Sequence, residues 1–203
     1  RPRDEGCRGG LSRLPTRARR PDEQKAMAVL PIVRFPHDAL TTAAEPVVTF
    51  DDDLRALIDN MAETMYAAEG VGLAANQVAV LKRVTVIDPA GVDEQAELLE
   101  LVNPEIVEKS DEPLDWEEGC LSFPQLFGKV TRSNKVTVRY QDRNGAVQHV
   151  TAEGLLAVAL QHEIDHLDGV LFIDHFDRIG RVKAIKKFEE IMKTRREEGL
   201  EPA

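Results

Sequence analysis

The sequence predicts an α+β fold in which antiparallel or mixed β-sheets pack around a central helix. Three observations carry this prediction: an amphipathic helical pattern comes first, a stretch of short β-type runs follows, and two further helical patterns close the chain. Because helices and strands are segregated rather than alternating, this order favours α+β over a parallel α/β fold. At 203 residues, the chain has the length of one domain with a substantial core.

The first helix is predicted over residues 51–68, where Asp51 can cap the N-terminus. Its apolar face has helical spacing and consists of Leu54, Leu57, Ile58, Met61 and Met65. Five runs in the middle of the chain have the composition of strands. They are 84–88, 98–103, 106–109, 136–140 and 147–150. Asn144-Gly145, between the last two runs, is a hairpin signal.

An apolar helix is predicted over residues 154–167, and Gly169 lies where a glycine commonly ends a helix. The last helix is predicted from about residue 177 to residue 196. Its apolar residues at near-helical spacing are Val182, Ile185, Phe188 and Met192.

The composition, 42% hydrophobic and 31% charged, is typical of a soluble globular protein, and no apolar run approaches the roughly 18–20 residues that a membrane helix needs. Two distant cysteines, Cys7 and Cys120, argue against a disulfide framework and favour a reducing cytosol. The net charge of −10 argues against DNA or broad nucleic-acid binding.

Residues 1–26 are expected to lie outside a single catalytic domain over residues 27–203. They are rich in Arg, Gly and Pro and carry eight Lys/Arg against four acidic residues. The simpler interpretation is a disordered or upstream extension before Met27. The alternative is an Arg-rich transit segment, against which the four acidic residues count because transit peptides are poor in acids. A bacterial cytoplasmic location is therefore expected, and an organellar one only if residues 1–26 are a transit segment.

The chemical signature of the chain is an HExxH motif at residues 162–166, inside the predicted apolar helix. His162 and His166 lie one turn apart on one face, so both imidazoles can bind one metal ion. Glu163 can then handle the protons of the attacking water. Two buried structural histidines are the alternative, but burying them with Glu163 and Asp165 is costly without a metal or a partner. Asp165 fits either a partner of a ligand histidine or a structural cap.

The third metal ligand decides the class of hydrolase. In the HExxHxxGxxH pattern of metalloproteases, Phe172 occupies the last position here, and His175 comes three residues too late. A glutamate of the last helix, Glu189 or Glu190, would complete a different metallopeptidase site.

Cys120 is the stronger candidate, because a thiolate is a strong metal ligand. Gly119 permits close backbone approach beside it. A lone cysteine is more often a small buried apolar residue. The acidic residues, the glycine and the Phe123-Pro124 turn around Cys120 favour the ligand interpretation.

Residues 70–77 contain G-x-G-x-x-A, a degenerate dinucleotide fingerprint. That fingerprint needs a strand before it and a helix after it, and here the order is reversed. A loop that closely approaches a peptide substrate, with Gln77 as a polar finger, fits better.

Together, three segments resemble the peptide deformylase family, whose motifs are G-x-G-x-A-A-x-Q, E-G-C-L-S and Q-H-E-x-D-H-L-x-G. The chain has Gly-Val-Gly-Leu-Ala-Ala-Asn-Gln at 70–77, Glu-Gly-Cys-Leu-Ser at 118–122 and Gln-His-Glu-Ile-Asp-His-Leu-Asp-Gly at 161–169. The resemblance covers roughly residue 27 to the C-terminus. The long last helix, with no large insertion after Gln77, is similar to the bacterial class.

The resemblance implies that Cys120, His162 and His166 bind one divalent metal, usually Fe(II), although Zn, Ni or Co can occupy such a site. Three protein ligands with one open position are typical of a catalytic site. Glu163 would take a proton from water and return it to the leaving amine. The implied substrate is the N-formylmethionyl end of a nascent polypeptide, and the products are formate and a free amino terminus.

The Gln77 side-chain amide and the Leu121 backbone N–H would stabilise the oxyanion. Glu118 is expected to pair with Arg132 and hold the ligand turn, unless it is a solvated surface glutamate. Residues expected to contact substrate or form the methionine pocket are Gly72, Val71, Trp116, Glu118, Leu155, Val158 and Ala159. Val158 lies one turn before His162 and shares its face, although the apolar residues of this helix equally suit a plain core.

The last helix carries eight Lys/Arg against two glutamates between residues 178 and 196. Similarity to bacterial relatives implies docking on the ribosome through RNA phosphates, and a solvated charged face is the alternative. Two other functions stay open: a metallopeptidase of the HExxH type, and a catalytically inactive relative that binds peptides or ribosomes.

Overall fold

The computed structural model of the protein describes residues 28–88 and 98–200. Within these residues lie helices α1 (Asp52–Ala67), α2 (Gly154–Leu167) and α3 (Arg178–Glu197). The strands are β1 (Gly72–Ala74), β2 (Val84–Ile87), β3 (Leu99–Lys109), β4 (Pro113–Cys120), β5 (Phe123–Ser133), β6 (Lys135–Gln141) and β7 (Val147–Glu153). This order confirms the α+β prediction. The predicted extension over residues 1–26 lies outside the described residues.

The strands form two antiparallel sheets. The larger sheet has the order β1-β2-β3-β6-β7, and β4 pairs with β5 in a separate two-stranded sheet. The predicted hairpin at Asn144-Gly145 joins β6 to β7, with Gly145 at a φ of 89° and Asp142 accepting hydrogen bonds from the Asn144 and Ala146 N–H groups. That positive φ is the reason for a glycine at the turn.

Helix α1 begins as predicted, because the Asp51 side chain accepts a hydrogen bond from the Leu54 N–H. Four of the five predicted apolar residues are fully buried, and Leu57 is only partly buried. This face packs against β2 and β3 in a cluster that includes Val84, Val86 and Val102. The helix therefore covers one face of the larger sheet near β1 and β2.

Helix α2 is the central element, as predicted. It contacts strands of both sheets, and nine of its residues are buried. One side packs Ala157, Leu160 and Ile164 against the larger sheet. The helix ends at Leu167, and Gly169, two residues later, has a φ of 75°. A Cβ atom there would lie 2.9 Å from the Thr41 backbone, so a side chain is excluded.

Helix α3 packs on β5 and is capped at its N-terminus by Asp177, whose side chain accepts a hydrogen bond from the Gly180 N–H. Its buried face is Ala184, Phe188 and Met192. Val182 was predicted to share this face and is 49% exposed, so that assignment was wrong. Ala184, Phe188 and Met192 recur every four residues, close to one turn of the helix, and so lie on one face. Val182 lies two residues before Ala184 and therefore points away from that face.

The hairpin of β4 and β5 was not predicted. Its strands contain Pro113, Pro124, Gly119 and Gly128, which are depleted in strands, and the burial pattern of β4 leaves most of its residues exposed. The predicted strands at 98–103 and 106–109 are one strand, β3, with a register shift around Pro104. None of the described helices is long and apolar enough to cross a membrane.

Candidate active site

Three predicted metal ligands meet beside α2. Cys120 is the last residue of β4, and His162 and His166 lie one turn apart on the helix. Their ligand atoms all lie within 4.8 Å of one another, and Cys120 Sγ is 3.2 Å from His166 Nε2. The fold thus joins a residue of the small sheet to two residues of the central helix.

The surroundings of Cys120 favour a thiolate. Burial alone would raise the pKa of the Cys120 thiol, but the electrostatic effect of the adjacent His166 and hydrogen bonds to both histidines outweigh burial and lower the pKa to about 5. The thiolate is the form that binds metals. One thiolate and two imidazoles within reach of a common point fit a single Fe, Zn, Ni or Co ion, whereas Mg or Ca prefers oxygen ligands.

The other proposed third ligands are elsewhere. Phe172, at the position of a metalloprotease histidine, is buried in the core with Phe123 and Phe188. Glu189 and Glu190 are exposed on α3. Among the described residues, neither glutamate joins the cluster of His162 and His166. The geometry therefore favours Cys120 over both metallopeptidase arrangements.

A buried ion pair fixes the ligand turn to the helix. Arg132 Nε donates to Glu118 Oε1 at 2.7 Å, and Arg132 Nη2 donates to Glu118 Oε2 at 3.0 Å. Glu118 Oε2 lies 2.8 Å from His162 Nδ1. Burial would raise the pKa of Glu118, but hydrogen bonds from His162 and Arg132 lower it to about 2. The expected Glu118–Arg132 pair is present, and the surface-glutamate alternative is wrong.

Asp165 takes neither of the two roles considered for it from the sequence. Its Oδ2 accepts a 2.5 Å hydrogen bond from Arg132 Nη1 and lies 2.7 Å from His175 Nε2. Asp165 thus extends the Glu118–Arg132 pair outward to His175. Sequence reasoning missed this role because the partners are far apart in the chain and belong to none of the three motifs.

Glu163 is buried and lines the same pocket as Cys120. Burial raises the pKa of its carboxyl group, although the electrostatic effects of the neighbouring His162 and His166 rings oppose this shift. Its Oε2 has no hydrogen-bond partner among the described residues. A buried carboxylate that lines a cavity and has an oxygen without a partner is suited to accept a proton from water or substrate.

The Gln77 amide has a fixed orientation. The Ala74 N–H donates to Gln77 Oε1 at 2.9 Å, which leaves Nε2 as the donor on the other side. Nε2 lies 3.5 Å from Cys120 Sγ and 3.3 Å from Ser122 Oγ. The amide N–H groups therefore point at the edge of the ligand cluster, next to Leu121.

A cavity of about 580 Å³ opens beside these groups. All five predicted apolar pocket residues line it: Val71, Trp116, Leu155, Val158 and Ala159. Val158 is 3% exposed, whereas Val71 and Trp116 are about 40% exposed at the rim. Arg34 and Phe127 also line the cavity, and sequence reasoning missed them because neither belongs to a motif.

Comparison with known proteins identifies the family of the chain. Residues 29–182 match the polypeptide deformylase family. The chain is 50% identical over 164 residues to the peptide deformylase of Phenylobacterium zucineum, covering 81% of this chain and 97% of that protein. It is 49% identical over 170 residues to that of Methylocella silvestris, covering 82% of this chain and 87% of the relative.

Among solved structures, a peptide deformylase from Legionella pneumophila is 44% identical, with a TM-score of 0.78. The match covers 86% of this chain and all of that one. The residues that match the family, 29–182, include the three motifs and both sheets. The chain therefore belongs to the polypeptide deformylase family.

Proposed function

We propose that the chain performs its family's reaction with the residues assembled at the end of the cavity. In this reaction the formyl group is removed from the N-formylmethionyl end of a newly made polypeptide, and formate is released. The observation that carries the proposal is that Cys120, His162 and His166 converge within 4.8 Å beside the buried Glu163 and the oriented Gln77 amide. The experiment that tests it is formate release from a formyl peptide.

Cys120, His162 and His166 would hold one divalent metal, for which we propose Fe(II) as the physiological ion, with Zn, Ni or Co as substitutes. When bound, the ion would supply a Lewis acid that makes water a nucleophile at neutral pH and polarises the formyl oxygen. The Glu118–Arg132 pair would keep His162 oriented for this task, since a partner on the second ring nitrogen fixes a ligand histidine.

Glu163 would accept the proton of the attacking water and then pass it to the nitrogen of the departing methionine. The formyl C–N bond breaks, formate leaves, and the amine keeps the transferred proton. Negative charge that develops on the formyl oxygen would be stabilised by Gln77 Nε2 and by the backbone N–H of Leu121.

The methionine side chain would enter the cavity lined by Val158, Leu155 and Ala159 on α2, with Val71 and Trp116 at the rim. Gly72 would approach the substrate through its backbone. The Glu118 carboxylate is already occupied by Arg132 and His162, so we assign Glu118 a supporting role rather than a substrate contact.

Replacing Gly72 with Ala is expected to reduce kcat by about 100-fold while the protein stays folded and retains its metal ligands. A Cβ atom at Gly72 would lie 2.5 Å from Glu163 Oε1 and 2.9 Å from its Cγ and Cδ atoms, so the flexible Glu163 side chain must move. Steady-state kinetics, metal analysis and thermal unfolding measure the three quantities. The control is Gly199→Ala, just after α3 and outside the cavity. Its Cβ atom meets nothing within 4 Å, and the strain of Ala at a φ of 73° is expected to lower thermal stability without lowering kcat. Unchanged kcat in Gly72→Ala would contradict the placement of Glu163.

We further propose that α3 docks on the ribosome. Its exposed surface combines Arg178, Lys183 and Lys186 with the exposed apolar residues Ile179 and Val182, on a chain of net charge −10. A local basic surface on an acidic protein favours a specific phosphate-bearing partner. We place the reaction in the bacterial cytoplasm, in keeping with the bacterial relatives.

Docking through RNA phosphates predicts that cosedimentation with ribosomes weakens steeply as the salt concentration rises. The double variant Lys183→Glu/Lys186→Glu is expected to lose binding and keep deformylase activity on short peptides. The matched control reverses Lys109 and Lys135, which are exposed on the larger sheet. Binding that is independent of salt, or unaffected by the α3 reversals, would contradict docking.

A further inference from the structure

Residues 33–35 form hydrogen bonds with the two chain segments that carry the proposed oxyanion donors, Gln77 and Leu121. The Val33 N–H donates to the Gln77 carbonyl at 2.8 Å, and the Phe35 N–H donates to the Ser122 carbonyl at 3.2 Å. Between them, Arg34 Nη1 donates to the Leu121 carbonyl at 2.8 Å. Residues 33–35 thus connect the Gln77 segment directly to the residues that follow Cys120.

We propose that residues 33–35 form a positioning strap for the oxyanion site and that Arg34 is a positioning residue for deformylation. The proposal rests on the function proposed above. Arg34 would act through Leu121, whose carbonyl it holds and whose N–H is the candidate donor. Arg34 would thereby keep the Leu121 N–H and the Gln77 side-chain amide pointing at the same oxyanion.

The physical reason is preorganisation. Donors to an oxyanion are effective because they already point at the place where charge develops, and a small misplacement removes much of the effect. The Leu121 N–H and carbonyl lie in two successive peptide planes that share the Leu121 Cα atom. Fixing the carbonyl plane therefore narrows the φ and ψ rotations of Leu121 that aim its N–H. A hydrogen bond from a guanidinium is stronger than one between neutral groups, and this one lies in a partly buried pocket wall.

The strap is anchored independently of the Arg34 head group. The Leu30 N–H donates to Thr64 Oγ1 at 2.8 Å on α1, and Ile32 packs against the hydrophobic cluster of that helix. On the other side, the Phe35 ring stacks on Phe123 with centroids 5.1 Å apart. Removing the guanidinium alone should therefore leave the backbone of residues 33–35 in place. A substitution of Arg34 can then test its hydrogen bond without disturbing the rest of the strap.

The test compares Arg34→Met, which keeps the stem and removes the donor, with Arg34→Lys, which keeps a charged donor. Both are assayed in the full metal-loaded chain with formyl-Met-Ala-Ser. We expect Arg34→Met to lower kcat about tenfold, with KM within about twofold of wild type. Metal content should be unchanged, and Arg34→Lys should recover part of the loss. The matched control is Arg139→Met, an exposed arginine of β6 paired with Glu105, which should keep full activity.

Each outcome decides the proposal. An inactive wild-type protein would contradict the proposed function itself. An active wild type together with full kcat in Arg34→Met would overturn the strap alone. A rise in KM with unchanged kcat would assign Arg34 to direct substrate binding and also overturn it. Arg34→Leu is prepared in parallel, so that a folded variant without the guanidinium is measured even where Arg34→Met fails to fold.

Discussion

Substitution of Glu163 by Gln is expected to reduce the rate of formate release by on the order of 1,000-fold, the range of effect of a general acid–base group. Gln has the shape of Glu and fills the same space beside Gly72, but it cannot accept the proton of the attacking water. Cys120, His162 and His166 are untouched, so the metal content should equal that of wild type. A stopped formate assay together with metal analysis checks both expectations.

The matched control is Glu190→Gln, because Glu190 is exposed on α3 and was one of the alternative ligands considered for a metallopeptidase. It should keep full activity. Glu163→Gln activity within tenfold of wild type would contradict the proton-transfer role. Loss of metal from Glu163→Gln would instead place Glu163 among the metal ligands. It would contradict the proposal that Glu163 only transfers protons.

Replacing Cys120 with Ala is expected to abolish both metal binding and deformylation. The thiolate is one of only three proposed protein ligands, so its removal should weaken metal affinity by more than the about 10–100-fold typical of a lost outer partner. Metal titration of the purified variant and the formate assay measure the two effects. Thermal unfolding in the presence of a chelator, which removes metal from both proteins, separates loss of the ion from damage to the fold.

This substitution also separates the two hydrolase classes. In a metallopeptidase with a third ligand on α3, Cys120→Ala would spare metal binding and Glu189→Ala or Glu190→Ala would abolish it. We expect the reverse, because both glutamates are exposed and Cys120 Sγ lies 3.2 Å from His166 Nε2. Retention of stoichiometric metal by Cys120→Ala would contradict the proposed ligand set.

The helices were predictable because their signals are local. Asp51, the periodic apolar residues of α1 and Gly169 determine where α1 begins, which face it buries and where α2 ends, and all of these can be read within a few residues. The hairpin of β4 and β5 was not predictable in this way. Its prolines and glycines disfavour strands, and its stability comes from pairing and from contacts with α2 and α3.

In the candidate site, too, local sequence predicted some residues and not others. His162, Glu163 and His166 follow from helical spacing, whereas the choice of Cys120 depended on its local setting and on the family resemblance. The contacts of Asp165 with Arg132 and His175 could not be predicted from spacing, because they join residues on three elements. The Arg34 contact with Leu121 was missed for the same reason, since it spans 87 positions of the chain.

The most direct measurement is formate release from formyl-Met-Ala-Ser by the protein loaded with Fe(II) under anaerobic conditions. We expect stoichiometric formate and free Met-Ala-Ser, loss of activity with a chelator, and recovery when metal is restored. Folded, iron-loaded protein that releases no formate would contradict deformylation and favour an inactive relative that binds peptides or ribosomes. Cleavage of an internal peptide bond in place of formate release would favour the metallopeptidase.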